Sequence, residues 1–170
     1  MTPDAAARRA LFPRGLLQPE GGFRFGVDTL LLSAFAHRQL KADAALTGLD
    51  LGCGCGAAAF GLLLLPGRQA LALTGVDLDP HMARAAALNA QALGLAERFQ
   101  ASTLDVEAFA APAPAHFALC NPPFRVPDSG RPCPDQRRQA ARFEGPGGFA
   151  AFARCAARNQ IGRASCRERV

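Results

Sequence analysis

An α/β fold on a doubly wound, mostly parallel sheet is predicted by three features of this 170-residue chain. Short apolar runs alternate with stretches of helical periodicity, the pattern left by strand–helix–strand units. The first run leads directly into Gly52-x-Gly54-x-Gly56, and the second ends on an acid, Asp77. The run at 116–120 delivers Asn121-Pro122-Pro123-Phe124 to the edge where parallel sheets open their ligand crevice.

The elements follow in order. Residues 1–20 carry Pro3, Pro13, Gly15 and Pro19 and are expected to form a loosely ordered arm before a domain over 21–159. Asp28 is placed to N-cap a helix over 29–40, with Leu30, Leu31, Ala34 and Phe35 on one face. Residues 45–52 read as a buried strand entering the glycine turn, and 57–65 as a helix stopped by Pro66-Gly67. A second strand over 70–76 ends at Asp77. The helix over 80–93 has Pro80 in its first turn and Gly94 past its end, the asymmetry that helices favour. Residues 98–102 form a weakly patterned third strand, 105–111 no more than a short helix, and 116–120 a fourth strand. The Pro-, Gly- and Arg-rich stretch 125–146 reads as a loop, and 148–158 as a further helix. In such a sheet strands one and four are neighbours.

Composition narrows the function classes. Apolar residues make up 49% and charged residues 19%, which excludes a disordered chain. No apolar run is long enough to cross a bilayer, and no apolar core follows the N-terminal arginines as a secretory signal requires, so a cytoplasmic location is expected. The net charge of +5 helps a polyanion approach without identifying one. The six cysteines have neither disulfide-framework spacing nor paired CxxC arms, so they are expected to be reduced. Cys53, Cys55 and Cys120 can come close together, but His81 and His116 lack the spacing to complete a ligand set. Packing is therefore expected there, and no metal.

Residues 161–170, IGRASCRERV, match letter for letter a translated sequencing-library adapter, and Gln160 fits the codon that would precede it. The stretch 160–170 is therefore read as adapter read-through and set aside, and the natural chain is expected to continue beyond 159. On that reading the fourth strand is left as an apolar sheet edge, and the chain as written is expected to be poorly soluble and inactive. Expression of 1–159 beside a longer gene tests this expectation, which a soluble, cooperatively melting and active 1–159 would overturn.

Three sites carry chemistry. The first is the glycine turn, where missing Cβ atoms allow a sharp turn and close ligand approach. Its spacing is not the GxGxxG of dinucleotide binding. Asp50-x-Gly52-x-Gly54-x-Gly56 instead resembles motif I of class I S-adenosylmethionine-dependent methyltransferases. That resemblance implies a Rossmann-like fold in which Asp50 meets the amino group of S-adenosylmethionine, through water or backbone, and the glycines accommodate its methionine and ribose.

The second site is Asp77, where a carboxylate at the strand end can accept both hydroxyls of a ribose. Leu78 beside it would pack on the adenine. Asp79 is a rival carboxylate, although with Pro80 it more simply caps the next helix. Asp105 resembles the position that receives the cofactor's adenine amino group, and it can equally serve as a helix cap.

The third site selects the substrate. Pro122 and Pro123 remove two backbone donors and stiffen the segment. The Asn121 side-chain oxygen and the Pro122 carbonyl can then accept both hydrogens of a planar amino group, and Phe124 can stack on the ring behind it. Such acceptors stabilise the positive charge that grows on nitrogen during methyl transfer. The motif resembles that of amino-methyltransferases acting on adenine N6, cytosine N4 or a glutamine amide.

Two longer stretches, Gln18 to Leu32 and Ser129 to Glu144, resemble the bacterial tRNA1(Val) adenine-37 N6-methyltransferase family, with Phe143 where members often have His. The resemblance covers residues 11–158 and lacks the family's last strands. It implies methylation of an adenine flipped out of tRNA by a monomeric, metal-free, membrane-free enzyme. Arg24 and Asp28 are either cofactor contacts or a salt-linked helix start. Protein-glutamine N5-methylation and an inactive fragment are the alternatives. A nucleotide-binding oxidoreductase is disfavoured by the glycine spacing and by Asn121–Phe124.

Overall fold

A computed structural model describes residues 4–22, 24–122 and 148–159. Helix α1 (Ala5–Leu11) and helix α2 (Val27–Gln39) precede strand β1 (Thr47–Leu51) and helix α3 (Ala57–Leu63). Strand β2 (Ala72–Asp77), helix α4 (Pro80–Ala92), strand β3 (Phe99–Thr103) and strand β4 (Phe117–Cys120) follow, and helix α5 (Gly148–Asn159) ends the described chain. The strands lie in the order β3-β2-β1-β4, all parallel. Strand β1 is therefore central, with Asp50 in register with Gly75 on one side and Leu119 on the other.

Alternation along β1 sends Leu49 and Leu51 to one face of the sheet and Asp50 to the other. The first face is closed by Phe109, Ala115 and Cys155. The second face carries the larger core, built from α3, α4, Leu73 and Phe99, with Phe60 edge-on to Phe99 at 4.9 Å between centroids. Both faces are covered, so the sheet is doubly wound as the alternation of elements predicts. Element bounds agree with the sequence reading to within two residues, the last turn of α3 unwinding before Pro66.

Three expectations are corrected. Residues 4–22 are no loose arm: Asp4 caps α1, Leu16 is buried, and the Leu17 backbone N–H and C=O both bond to Asn89 of α4. Asp28 does not cap α2, which starts two residues earlier, from Gly26, and carries Asp28 in its first turn. The buried face of α2 is Thr29, Ser33 and Ala36, whereas Leu31 and Phe35 are exposed. The reason is close helix contact. Gly61 of α3 has no side chain, so the Ser33 hydroxyl fits against it and reaches the Ala58 carbonyl at 2.8 Å. A leucine on that face would not fit. The displaced apolar face instead borders a groove lined by Leu32, Phe35, Leu40 and Phe117 beside β4, whose outer edge pairs with no strand among the described residues.

No helix among the described residues is long and apolar enough to cross a membrane. The C-terminal end of α2, where helical carbonyls lack partners, is held by buried Arg68. Its guanidinium donates to the carbonyls of His37, Leu40 and Lys41 and to His37 Nδ1, with no carboxylate in the set. Arg68→Met would keep the bulk but strip these acceptors of their donor. A loss of roughly 2–4 kcal/mol is expected. Urea unfolding checks it: the midpoint should fall with the m value unchanged.

Candidate active site

The glycine turn is folded back onto the end of β2. The N–H groups of Gly52 and Cys53 both donate to the Val76 carbonyl, at 2.8 and 3.0 Å. The Gly54 N–H donates to Asp77 Oδ2 at 2.7 Å. The glycines differ in what they do. Gly56 starts α3 at φ +88°, and a Cβ there would strike the Phe60 ring, so its smallness serves packing. Gly54, at φ +56°, has only the Met82 methyl near its missing Cβ, at 3.5 Å, so its smallness leaves the crevice open.

Asp50 lies beneath this turn, 2% exposed. Burial raises its carboxyl from 3.8 to about 7, the Ala59 backbone N–H pulls it down in part, and the Asp77 charge adds to the rise. One oxygen, Oδ2, is buried with no hydrogen-bond partner among the described residues. Asp50 lines a cavity of about 40 Å³ together with Phe25, Thr29, Gly52, Gly54 and Asn121. That space suits a small polar head group, and an orphaned carboxylate oxygen gives it a preference for a cationic donor. Burial also pushes up the thiols of Cys53 and Cys55, the latter to about 11, which keeps both protonated as packing groups. Among the described residues no three His, Cys, Asp or Glu side chains converge on a metal-binding point.

Asp77 also has a raised pKa, through burial, against which the N–H groups of Asp79 and Gly54 act. Each carboxylate oxygen takes one of those backbone donors, at 2.9 and 2.7 Å, and keeps lone-pair capacity for a second. Leu78 next to it is exposed. Asp79 caps α4 through the His81 N–H at 2.8 Å, the simpler of the two roles expected for it. Asp105 receives the Glu107 N–H at 2.8 Å and so caps a single turn. It also stands near the β2 end, because the Leu104 N–H binds the Asp77 carbonyl.

Asn121 leaves the end of β4 beside β1, where Cys120 is in register with Leu51. Its Nδ2 lies 3.2 Å from Asp28 Oδ2 and 3.1 Å from Thr29 Oγ1. Pro122 is buried. Pro123 and Phe124 lie outside the described residues, and Arg24 is exposed. The structure thus gathers Asp50, Gly52, Gly54 and Asn121 around one cavity, with Asp77, Leu78 and Asp105 along the adjoining strand ends.

Thr29, Phe25 and Asn89 were not legible as site residues. Asn89 is buried and donates from Nδ2 to the Cys55 carbonyl at 3.0 Å, tying the glycine turn to the N-terminal segment. The available signal was a weak helix former in line with Met82 and Ala86 on the inner face of α4.

A model of the family described as methyltransferase small domain matches residues 27–133. A tRNA1(Val) (adenine(37)-N6)-methyltransferase from Yersinia pestis is 30% identical over 135 residues, 78% of this chain and 52% of its own length. The protein of that name from Yersinia enterocolitica is 31% identical over 78% of this chain and 51% of its own. The chain spans about half the length of the curated relatives it matches. Among solved structures, a candidate RNA methyltransferase from Pyrococcus horikoshii has a TM-score of 0.62 at 20% identity, covering 94% of this chain and 69% of its own. A Geobacter sulfurreducens S-adenosylmethionine-dependent methyltransferase, in complex with S-adenosyl-L-homocysteine, has a TM-score of 0.56 at 21% identity, over 89% and 52%. These two share the fold.

The Asp50 carboxyl makes stability depend on pH. Its folded pKa of about 7 lies above the ordinary 3.8, so the folded chain holds the proton more tightly than the unfolded chain. Its contribution is therefore full below 3.8 and is lost as pH rises to about 7. Asp50→Asn should melt at a higher temperature than the parent at about pH 8, with the gap closing as pH falls through this window. Melts across the range check it, and a gap independent of pH would place the cost elsewhere than in the buried charge.

Proposed function

The chain belongs to the methyltransferase small domain family, and from that premise we propose that it transfers a methyl group from S-adenosylmethionine to the N6 amino group of an adenine in tRNA. The observation that carries the reading is the shared cavity: the acceptor side chain of Asn121 and the buried carboxyl of Asp50 line the same space. Substrate choice is supported by the adenine-N6 activity named for the relatives that are 30–31% identical.

The residues present fit the cofactor. Orphaned Asp50 Oδ2 suits its ammonium group, and the open side of Gly54 leaves room for its chain. Each Asp77 oxygen has capacity for a ribose hydroxyl, and exposed Leu78 offers an apolar face for the adenine. When bound, S-adenosylmethionine supplies a methyl group already activated by its sulfonium.

The chain's own work is then to bind, orient and stabilise charge. Asn121 Oδ1 and the Pro122 carbonyl accept the two hydrogens of the target amino group and hold its plane, which turns the nitrogen lone pair out of that plane. As nitrogen becomes positive, these fixed dipoles gain strength without reorganising. The amine's surplus proton leaves to solvent. An adenine reaches this site only when flipped out of its stack, and the net charge, which stays positive at +3 once 160–170 are set aside, assists the approach of the tRNA. On this reading the enzyme works in the cytoplasm, where tRNA is, and is taken to act as a monomer.

The test, on the longest chain that the gene encodes, is methyl transfer from labelled cofactor to tRNA transcripts and to a glutamine-containing release-factor peptide, followed by nucleoside analysis for N6-methyladenosine. Label on the peptide and not on the tRNA would move the activity to protein-glutamine N5. Asn121→Ala should lower kcat on tRNA by roughly a hundredfold or more. Cofactor affinity by calorimetry should stay near the parent value, because the Asn121 oxygen is assigned to the substrate and acts chiefly in the transition state. Near-normal kcat would remove Asn121 from the mechanism.

A further inference from the structure

We infer that Asp28 and Thr29 are positioning residues that lock the Asn121 amide with its oxygen toward the substrate, so that the site presents an acceptor and selects an amino group over a carbonyl. The inference rests on the amino-methyltransferase reading above and adds the device that sets the polarity of its acceptor. An asparagine side chain has two ends of nearly equal shape and opposite chemistry. Left free at the end of a strand, Asn121 could offer either its NH2 or its oxygen. An NH2 facing the cavity would repel an amino substrate and welcome a carbonyl one.

The two side chains from α2 remove that choice. Asp28 Oδ2 lies 3.2 Å from Asn121 Nδ2, and an ionised carboxylate can only accept. Turned by half a rotation, the amide would set its oxygen against the carboxylate oxygen, which is repulsive. Thr29 Oγ1 lies 3.1 Å from the same nitrogen, so both amide hydrogens have acceptors and Oδ1 is the end left for a ligand. The carboxylate thus decides the orientation of the amide, a choice that shape alone leaves undetermined.

The clamp is rigid because its helix is rigid. Thr29 is 6% exposed and belongs to the small inner face of α2 that seats against α3. One turn further on, the Ser33 hydroxyl lies 3.1 Å from the Thr29 carbonyl and 2.8 Å from that of Ala58. The arrangement also acts electrostatically. A negative charge behind the NH2 polarises the amide, so Oδ1 becomes a stronger acceptor as the substrate nitrogen becomes positive.

The experiment uses the longest chain that the gene encodes, since the 170 residues alone are expected to be inactive, and has two arms. The first is NMR of the Asn121 side-chain NH2 in isotope-labelled protein. The parent should show two inequivalent protons protected from exchange. Asp28→Ala, a change at an exposed position, and Thr29→Val should each shift them and speed their exchange. The second arm is turnover on tRNA. Both variants should lose kcat by roughly ten- to a hundredfold, the effect of one or two charge-assisted hydrogen bonds. Cofactor affinity should be unchanged, Thr29→Ser should restore the rate, and Asp28→Asn should restore part of it by turning its own oxygen to Nδ2. Parental kcat with unmoved Asn121 signals in Asp28→Ala overturns the inference. So does lost cofactor affinity with kcat retained, which would make Asp28 a cofactor contact. A parent that methylates no amino group overturns the proposed function instead, and the NMR arm still decides whether the clamp exists.

Discussion

The Val76 carbonyl and the Asp77 carboxylate at the end of β2 collect three successive N–H groups of the glycine turn, those of Gly52, Cys53 and Gly54. The turn reverses through left-handed backbone at Gly52, Gly54 and Gly56 and has no ladder of its own, so this clasp gives its donors their partners. Everything in the crevice takes its place from it. It sets the start of α3, it lays the open side of Gly54 over the cavity, and it fixes Asp77 with capacity to spare on both oxygens. An acid at the end of β2 thus serves the structure and still keeps capacity for a further donor, because a carboxylate has more lone pairs than one contact uses.

The same clasp buries Asp50. A carboxyl held near pKa 7 in a small cavity, with one oxygen unpartnered, is a cost to the free chain at neutral pH. Such a cost makes sense where a cationic group completes the site, since binding then relieves the burial that folding imposed. Asn89 ties the surrounding fold to this arrangement. Its amide joins the Leu17 backbone to the Cys55 carbonyl, so the N-terminal segment and the glycine turn brace each other.

Helix α2 illustrates a different balance. Its apolar residues are the conspicuous ones, yet Thr29, Ser33 and Ala36 face inward, because the glycine in α3 admits only small neighbours. The result is a helix seated closely enough to bring Asp28 and Thr29 onto Asn121, 93 and 92 residues away. The apolar residues displaced outward border the groove beside β4. A helix read by hydrophobicity alone would be turned the wrong way round, and the contact with Asn121 would be lost with it.

The sequence by itself determined the strands, most of the helices and the parallel, doubly wound sheet, because period, glycine and proline act over a few residues and need no distant partner. It also marked Asp50, the glycines, Asp77 and Asn121, since each sits at a strand end whose place in the sheet follows from element order. Tertiary structure alone decided which face of α2 is buried, that residues 4–22 dock on α4, and that Arg68 terminates α2. It alone decided how the Asn121 amide is held. These depend on contacts between residues far apart in the chain, where the fit of a glycine to a serine or of a carboxylate to an amide outweighs local propensity.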